Sequence, residues 1–166
     1  MGGQTQGKIE RRLQDLGIKL PDLKIIGKIS AVEVVGDLAF CSGHGCEDLD
    51  GELRLRGKVG GELTREQGYQ AARNCAVNLL ASLRKTLGDL DRVRRIVKVT
   101  GFVNSDPSFS EQPAVMHGFT DLMTELFGSK HARTAVGTNS LPNNQAVEVE
   151  MIVEIKSVRK RLVRKS

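Results

Sequence analysis

Residues 147–155 read VEVEMIVEI, and this alternation constrains the fold more than any other stretch. Val147, Val149, Met151, Val153 and Ile155 fall on one face of an extended chain, and Glu148, Glu150, Ile152 and Glu154 on the other. The first face needs a core. The second, with neighbours such as Val136 or Ala135 and interleaved with Glu148, Glu150 and Arg133, is too apolar for water and too charged for the core of a monomer. Copies of the chain that pack these faces together would resolve the conflict, with any trapped charge paired or binding something.

Helices that could cover the first face are legible upstream. Thr64-Arg65-Glu66-Gln67 is a capping box. It opens a helix over about 65–87 in which Ala71, Ala72, Cys75, Ala76, Leu79, Leu80, Leu83 and Leu87 form one apolar stripe, and Gly88 stops it. A second helix is predicted over about 112–127, with Pro113 early and Gly128 at its end. A short amphipathic helix at 8–16 precedes them, ended by Gly17. Val32 to Val35 and Leu38 to Cys41 flank Gly36-Asp37, which predicts a β-hairpin with a two-residue turn. Residues 45–63 read as a Gly-rich loop with a short strand at Glu52–Leu55, and Arg95–Asn104 as a strand. The last two strands flank a turn at Pro142-Asn143-Asn144. The order ββ(β)αβαββ is an α+β layer, with both long helices on one face of a sheet.

One domain over 1–156 accounts for these elements, with 1–26 as an N-terminal extension. The chain carries 25 bases and 20 acids, but residues 157–166 hold five bases and no acid, so the body is formally neutral. That charge distribution and a single Tyr without Trp argue against a nucleic-acid-binding face on the fold. The tail reads as a solubilising terminus, or as a contact for RNA, anionic lipid or an acidic partner. No apolar run is long enough for a membrane span, and residues 1–12 lack the apolar region of a secretory signal. Three cysteines without CxxC spacing fit reduced thiols in a cytoplasmic protein.

The stretch CSGHGCED, residues 41–48, is the densest in chemistry. Cys41, His44 and Cys46 offer only three metal ligands, and no second cluster supplies a fourth. A Cys/His nucleophile pair is disfavoured, because such pairs are not usually built from sequence neighbours. A strand end running into a Gly-Xaa-Gly turn is preferred, since it lets backbone N–H groups approach a carboxylate or phosphate. In that reading Ser42, Gly43 and His44 are the useful residues. Arg133 opens a strand otherwise made of Thr, Ala, Val and Gly. A hairpin centred near 140–141 would set it opposite Glu148, either as a cross-strand ion pair or as a bidentate grip for a ligand carboxylate.

These residues resemble the Rid (reactive intermediate deaminase) proteins, the YjgF-type superfamily also known as endoribonuclease L-PSP. The resemblance spans about residues 27–156. It rests on Gly27 with Ser42-Gly43, on AARNCAVNLL, on VKVTGFVNS, and on the spacing AR-x8-P-x5-E-x-E that joins Arg133, Pro142, Glu148 and Glu150. It implies a chorismate-mutase-like fold, a homotrimer with sheets packed inward, and three clefts between subunits. It also implies hydrolysis of enamines and 2-imino acids to 2-keto acids and ammonia, without metal or organic cofactor. Carried onto this chain, Arg133 would bind the substrate carboxylate, Gly43 would offer its N–H to the same group, and Glu148 would orient or activate water.

Four positions depart from the family pattern: Ile29 for an aromatic, His44 for Gln, His117 for Asn and Ala135 for Cys. They would reshape the side-chain end of the binding site, and either His could add an acid/base group. Three functions follow: an imine deaminase, a trimeric small-carboxylate-binding protein without turnover, and an RNA-cleaving protein drawing on His44, His117 or Glu148. The deaminase is preferred.

Overall fold

The computed structural model describes residues 7–23 and 28–157. Gly27, the first glycine of the family motif, and nearly all of the basic tail lie outside the described residues.

Strand β5 (Val147–Ile155) runs through the middle of a five-stranded sheet. Its odd residues are buried and its even residues are partly or fully exposed, as the alternation requires. It pairs antiparallel with β2 (Leu38–His44) on one side and with β3 (Val93–Asn104) on the other. β1 (Val32–Val35) pairs with β2 through the predicted turn, where Gly36 has φ +60°. A positive φ at the first turn position alone matches a type II′ hairpin, a conformation that favours glycine.

The fourth strand corrects the expected hairpin at the C-terminal end. β4 (Ala132–Thr138) does not pair with β5; it pairs parallel with β3 at the sheet edge, giving the order β1-β2-β5-β3-β4. The helical segment between β3 and β4 makes a crossover, and a crossover returns the chain parallel. The turn at Pro142–Asn144 then carries the chain past β3 to the slot beside β2, with Asn143 at φ 54° and Asn144 at φ 57°.

The helix layer covers one face. α2 (Arg65–Leu87) starts in the predicted capping box: Thr64 Oγ1 accepts from the Gln67 N–H at 3.1 Å, and Gln67 Oε1 accepts from the Thr64 N–H at 2.8 Å. Gly88 ends it in the left-handed region. The second predicted helix is two: α3 (Gln112–Val115) and α4 (His117–Phe127), parted at Met116, where ψ is −7°. α4 crosses α2 at Gly118, where a Cβ would lie 1.9 Å from the Tyr69 carbonyl oxygen, so only glycine permits this approach.

The short helix α1 (Lys8–Asp15) buries Ile9 and Leu13. The Asp91 carboxylate accepts from the Lys8 and Ile9 N–H groups at 2.6 and 2.8 Å, supplying the N-terminal acceptor that Gly7 lacks. Arg12 donates to the Leu126 carbonyl at the end of α4. No strand forms at Glu52–Leu55. Arg54 ties Asp48 and Asp50 into a compact loop, and the segment after it makes isolated bridges instead, Arg56 to Gln145 and Val59 to Leu63 and Ser105.

Val99, Val103, Val149, Met151 and Val153 of the sheet meet Leu79, Leu80, Leu83, Phe119, Leu122 and Met123 of the helices in one core. The opposite face carries Leu38, Phe40 and Val136, each 37–41% exposed, beside Lys98, Glu150 and Glu154. The sheet register also corrects which residues share that face. Arg133 and Ala135 pair with Val99 and Gly101, both on the helix side, so neither lies among the open-face carboxylates. Among the described residues no helix is long and apolar enough to cross a membrane.

Candidate functional site

Strand β2 ends in a bulge. Its register against β5 shifts between Cys41 and His44, which takes Ser42 and Gly43 out of the regular ladder. Side chains and backbone hold the displaced segment. The Ser42 N–H donates to the Ala31 carbonyl at 3.0 Å, and Ser42 Oγ to the Ser30 carbonyl at 2.7 Å. His44 Nδ1 lies 2.7 Å from the Ser42 carbonyl, and Nε2 lies 2.6 Å from Ser82 Oγ on α2. Asn78 Nδ2 donates to the carbonyls of Gly45 and Glu47, each at 3.1 Å. Ile29, Ala31, Ser42, Gly43, His44 and Ser82 line part of a cavity of about 660 Å³.

Glu148 reaches the same bulge from β5. A Cβ on Gly43 would sit 2.2 Å from Glu148 Oε1, so the missing side chain makes room for the carboxylate. Gln145 Nε2 donates to Glu148 Oε2 at 2.8 Å. Burial, with Glu47 and Glu150 nearby, raises the Glu148 carboxyl above its ordinary range, against the Gln145 hydrogen bond. Burial lowers His44 below the ordinary imidazole value, which keeps the ring neutral near pH 7.

Arg133 sits elsewhere. Nη1 donates to Thr120 Oγ1 at 2.9 Å and approaches His117 Nδ1 at 3.4 Å; Nη2 donates to the Pro113 carbonyl at 3.2 Å. These partners are a hydroxyl, an imidazole and a carbonyl. None is a carboxylate: the Asp121 carboxylate acts on the guanidinium through space, against its burial, but does not pair with it. Ala135 lies two residues on along the same face of β4, packed against the core.

The predicted residues therefore fall into two groups. Ile29, Ser42, Gly43, His44 and Glu148 gather at the β2–β5 bulge; Arg133, His117 and Ala135 gather at the β4 edge. Arg133 and Glu148 do not meet across a hairpin. β3 stands between their strands, and they lie on opposite faces of the sheet. The sequence pattern did not single out Ser82, Gln145 or Thr120. Ser82 and Thr120 are isolated hydroxyls in helical patterns, and only the packing shows what they face.

The remaining groups of CSGHGCED are occupied within the fold. Cys41 is buried on the helix side of β2, and burial pushes its thiol up to about 12. Cys46 Sγ donates to the Leu55 carbonyl at 3.7 Å. Both ring nitrogens of His44 are engaged, to the Ser42 carbonyl and to Ser82 Oγ. Among the described residues no cluster of three or more His, Cys, Asp or Glu could hold a metal ion.

Comparison with known proteins matches residues 10–155 to the family described as "YjgF/chorismate_mutase-like, putative endoribonuclease". Protein TCP17 of Trypanosoma cruzi is 40% identical over 162 residues, covering 91% of this chain and 96% of that protein. A 2-iminobutanoate/2-iminopropanoate deaminase of Dermatophagoides farinae is 32% identical over 131 residues, covering 78% and 88%. The crystal structure of Atu1372, a protein of unknown function from Agrobacterium tumefaciens, superposes with a TM-score of 0.83 at 39% identity, covering 90% of this chain and 94% of that one. The chain belongs to the YjgF/chorismate mutase-like family.

Proposed function

We propose that the protein is a Rid-type deaminase. It hydrolyses small 2-imino acids and their enamine tautomers to 2-keto acids and ammonia, in clefts between copies of the chain in a homotrimer. The observation that carries this reading is the separation of Arg133 from Glu148. One chain holds a guanidinium with no carboxylate in hydrogen-bond contact at its β4 edge and the Glu148 carboxylate at its β2–β5 bulge, and it cannot bring the two together itself. A second copy that sets its bulge against this edge completes a site, and gives the apolar and charged open face a partner.

The chemistry needs little else. Arg133 and the Gly43 N–H bind the substrate carboxylate. Glu148 takes a proton from water as the oxygen attacks C2 of the imine. The C=N π electrons move to nitrogen, which is protonated. The carbinolamine then loses ammonia as its C–N bond breaks and the carbonyl forms. Imine and water in, keto acid and ammonia out, balances without a redox partner. The raised carboxyl of Glu148 suits a base that must also return a proton. Ile29, His117 and Ala135 set the room left for the substrate side chain.

The test is ammonia and 2-keto acid release from freshly generated 2-aminoacrylate and 2-iminobutyrate. Wild type accelerates release over the spontaneous rate. Arg133→Ala loses the acceleration mainly through KM, and Glu148→Ala mainly through kcat. No acceleration by wild type would move the function to carboxylate binding without turnover.

A further inference from the structure

His44 and Ser82 form, with the Ser42 carbonyl, a chain of hydrogen bonds that the proposed chemistry does not use. Its polarity can be derived. The Ser42 carbonyl can only accept, so His44 Nδ1 carries the proton and donates at 2.7 Å. In the neutral ring Nε2 is then bare, and Ser82 Oγ must donate to it at 2.6 Å. Ser82 is 2% exposed, and a helical serine left to itself bonds back to its own helix; here its hydroxyl reaches a residue 38 positions away. Proton donation thus runs from Ser82 to His44 to the Ser42 carbonyl.

The end of that chain matters. The Ser42 carbonyl and the Gly43 N–H belong to one trans peptide unit, so they lie in one plane and point in opposite directions. Fixing the carbonyl fixes the aim of the N–H. A hydrogen bond accepted by the carbonyl also polarises the unit and makes the N–H a stronger donor. The bulge has taken this peptide out of the regular ladder, so the ladder alone does not orient it.

The geometry points to His44 as a positioning residue, and to Ser82 as its anchor on α2, that together aim and strengthen the Gly43 N–H toward a ligand carboxylate. This rests on the reading of Gly43 as a carboxylate donor, but it concerns the peptide itself and can be tested without turnover.

The experiment follows the Gly43 amide proton by NMR in wild type, His44→Phe, Ser82→Ala and His44→Gln, with the Kd of 2-oxobutyrate measured by calorimetry. The Gly43 amide proton is expected to move upfield in His44→Phe and, less, in Ser82→Ala. Kd rises about tenfold and about threefold respectively. His44→Gln, whose side-chain amide can donate to the same carbonyl, recovers most of both. In turnover the loss falls on KM rather than on kcat. A Gly43 amide that does not move in either His44→Phe or Ser82→Ala overturns the inference. If wild type binds 2-oxobutyrate but releases no ammonia from imines, the deaminase reading fails while the shifts still decide this one. Should His44→Phe not fold, the Gly43 shift between Ser82→Ala and wild type decides the matter alone.

Discussion

Gly43 and Glu148 occupy one space: a Cβ on the glycine would lie 2.2 Å from a carboxylate oxygen of the glutamate. Glu148 is a flexible side chain, so Gly43→Ala is expected to displace the carboxylate instead of breaking the sheet. Stability should fall by less than about 1 kcal/mol while kcat drops at least about tenfold. Urea unfolding beside steady-state kinetics checks this. In a Glu148→Ala background the same substitution should cost no further activity, since the group it displaces is gone.

Glu148 also sets a pH dependence of stability. Its carboxyl is raised in the folded state above the 4.5 of an ordinary Glu, chiefly by burial. Between that value and the raised one the folded chain binds more protons than the unfolded chain, so this group's contribution to stability falls as pH rises. Glu148→Gln should therefore raise Tm at pH 7–8 and lose that advantage below about pH 4. Thermal melts across this range measure it. An equal Tm difference at every pH would mean that burial of the charge is not the cause.

The three thiols should be inert in the folded protein. Cys46 and Cys75 have no exposed surface and Cys41 is 5% exposed; burial raises all three. Titration with a disulfide reagent should find less than about one reactive thiol per native chain and about three in denaturant. A fast-reacting Cys41 or Cys46 in the native state would restore chemistry to CSGHGCED that its packing denies.

The fold was legible where local and tertiary demands coincide. The capping box at Thr64 and Gln67, the stripe from Ala71 to Leu87 and the alternation from Val147 to Ile155 each settle their element, because the pattern that forms it also buries it. Strand pairing was not legible. Pro142-Asn143-Asn144 looks like a hairpin turn, yet the helical crossover of α3 and α4 between β3 and β4 decides that β4 is parallel, and that is a property of the chain path. Arg133 and Glu148 could be named as candidates only through the family resemblance that the spacing of Arg133, Pro142, Glu148 and Glu150 carries. Their division between two edges could not, because period-two patterns assign faces only relative to a strand's own neighbours. For the same reason Ser82 was silent: nothing around it in sequence announces His44.

The central claim is that Arg133 of one copy works with Glu148 of another. Mixing purified Arg133→Ala and Glu148→Ala proteins, with subunit exchange through mild denaturant and refolding, tests it most directly. Each variant alone lacks one half of every cleft. In a random trimer about one cleft in four receives an intact Arg133 from one copy and an intact Glu148 from its neighbour. Imine hydrolysis should therefore recover to about a quarter of the wild-type rate. No recovery in a mixture whose mass confirms mixed trimers would contradict the shared cleft and the function built on it.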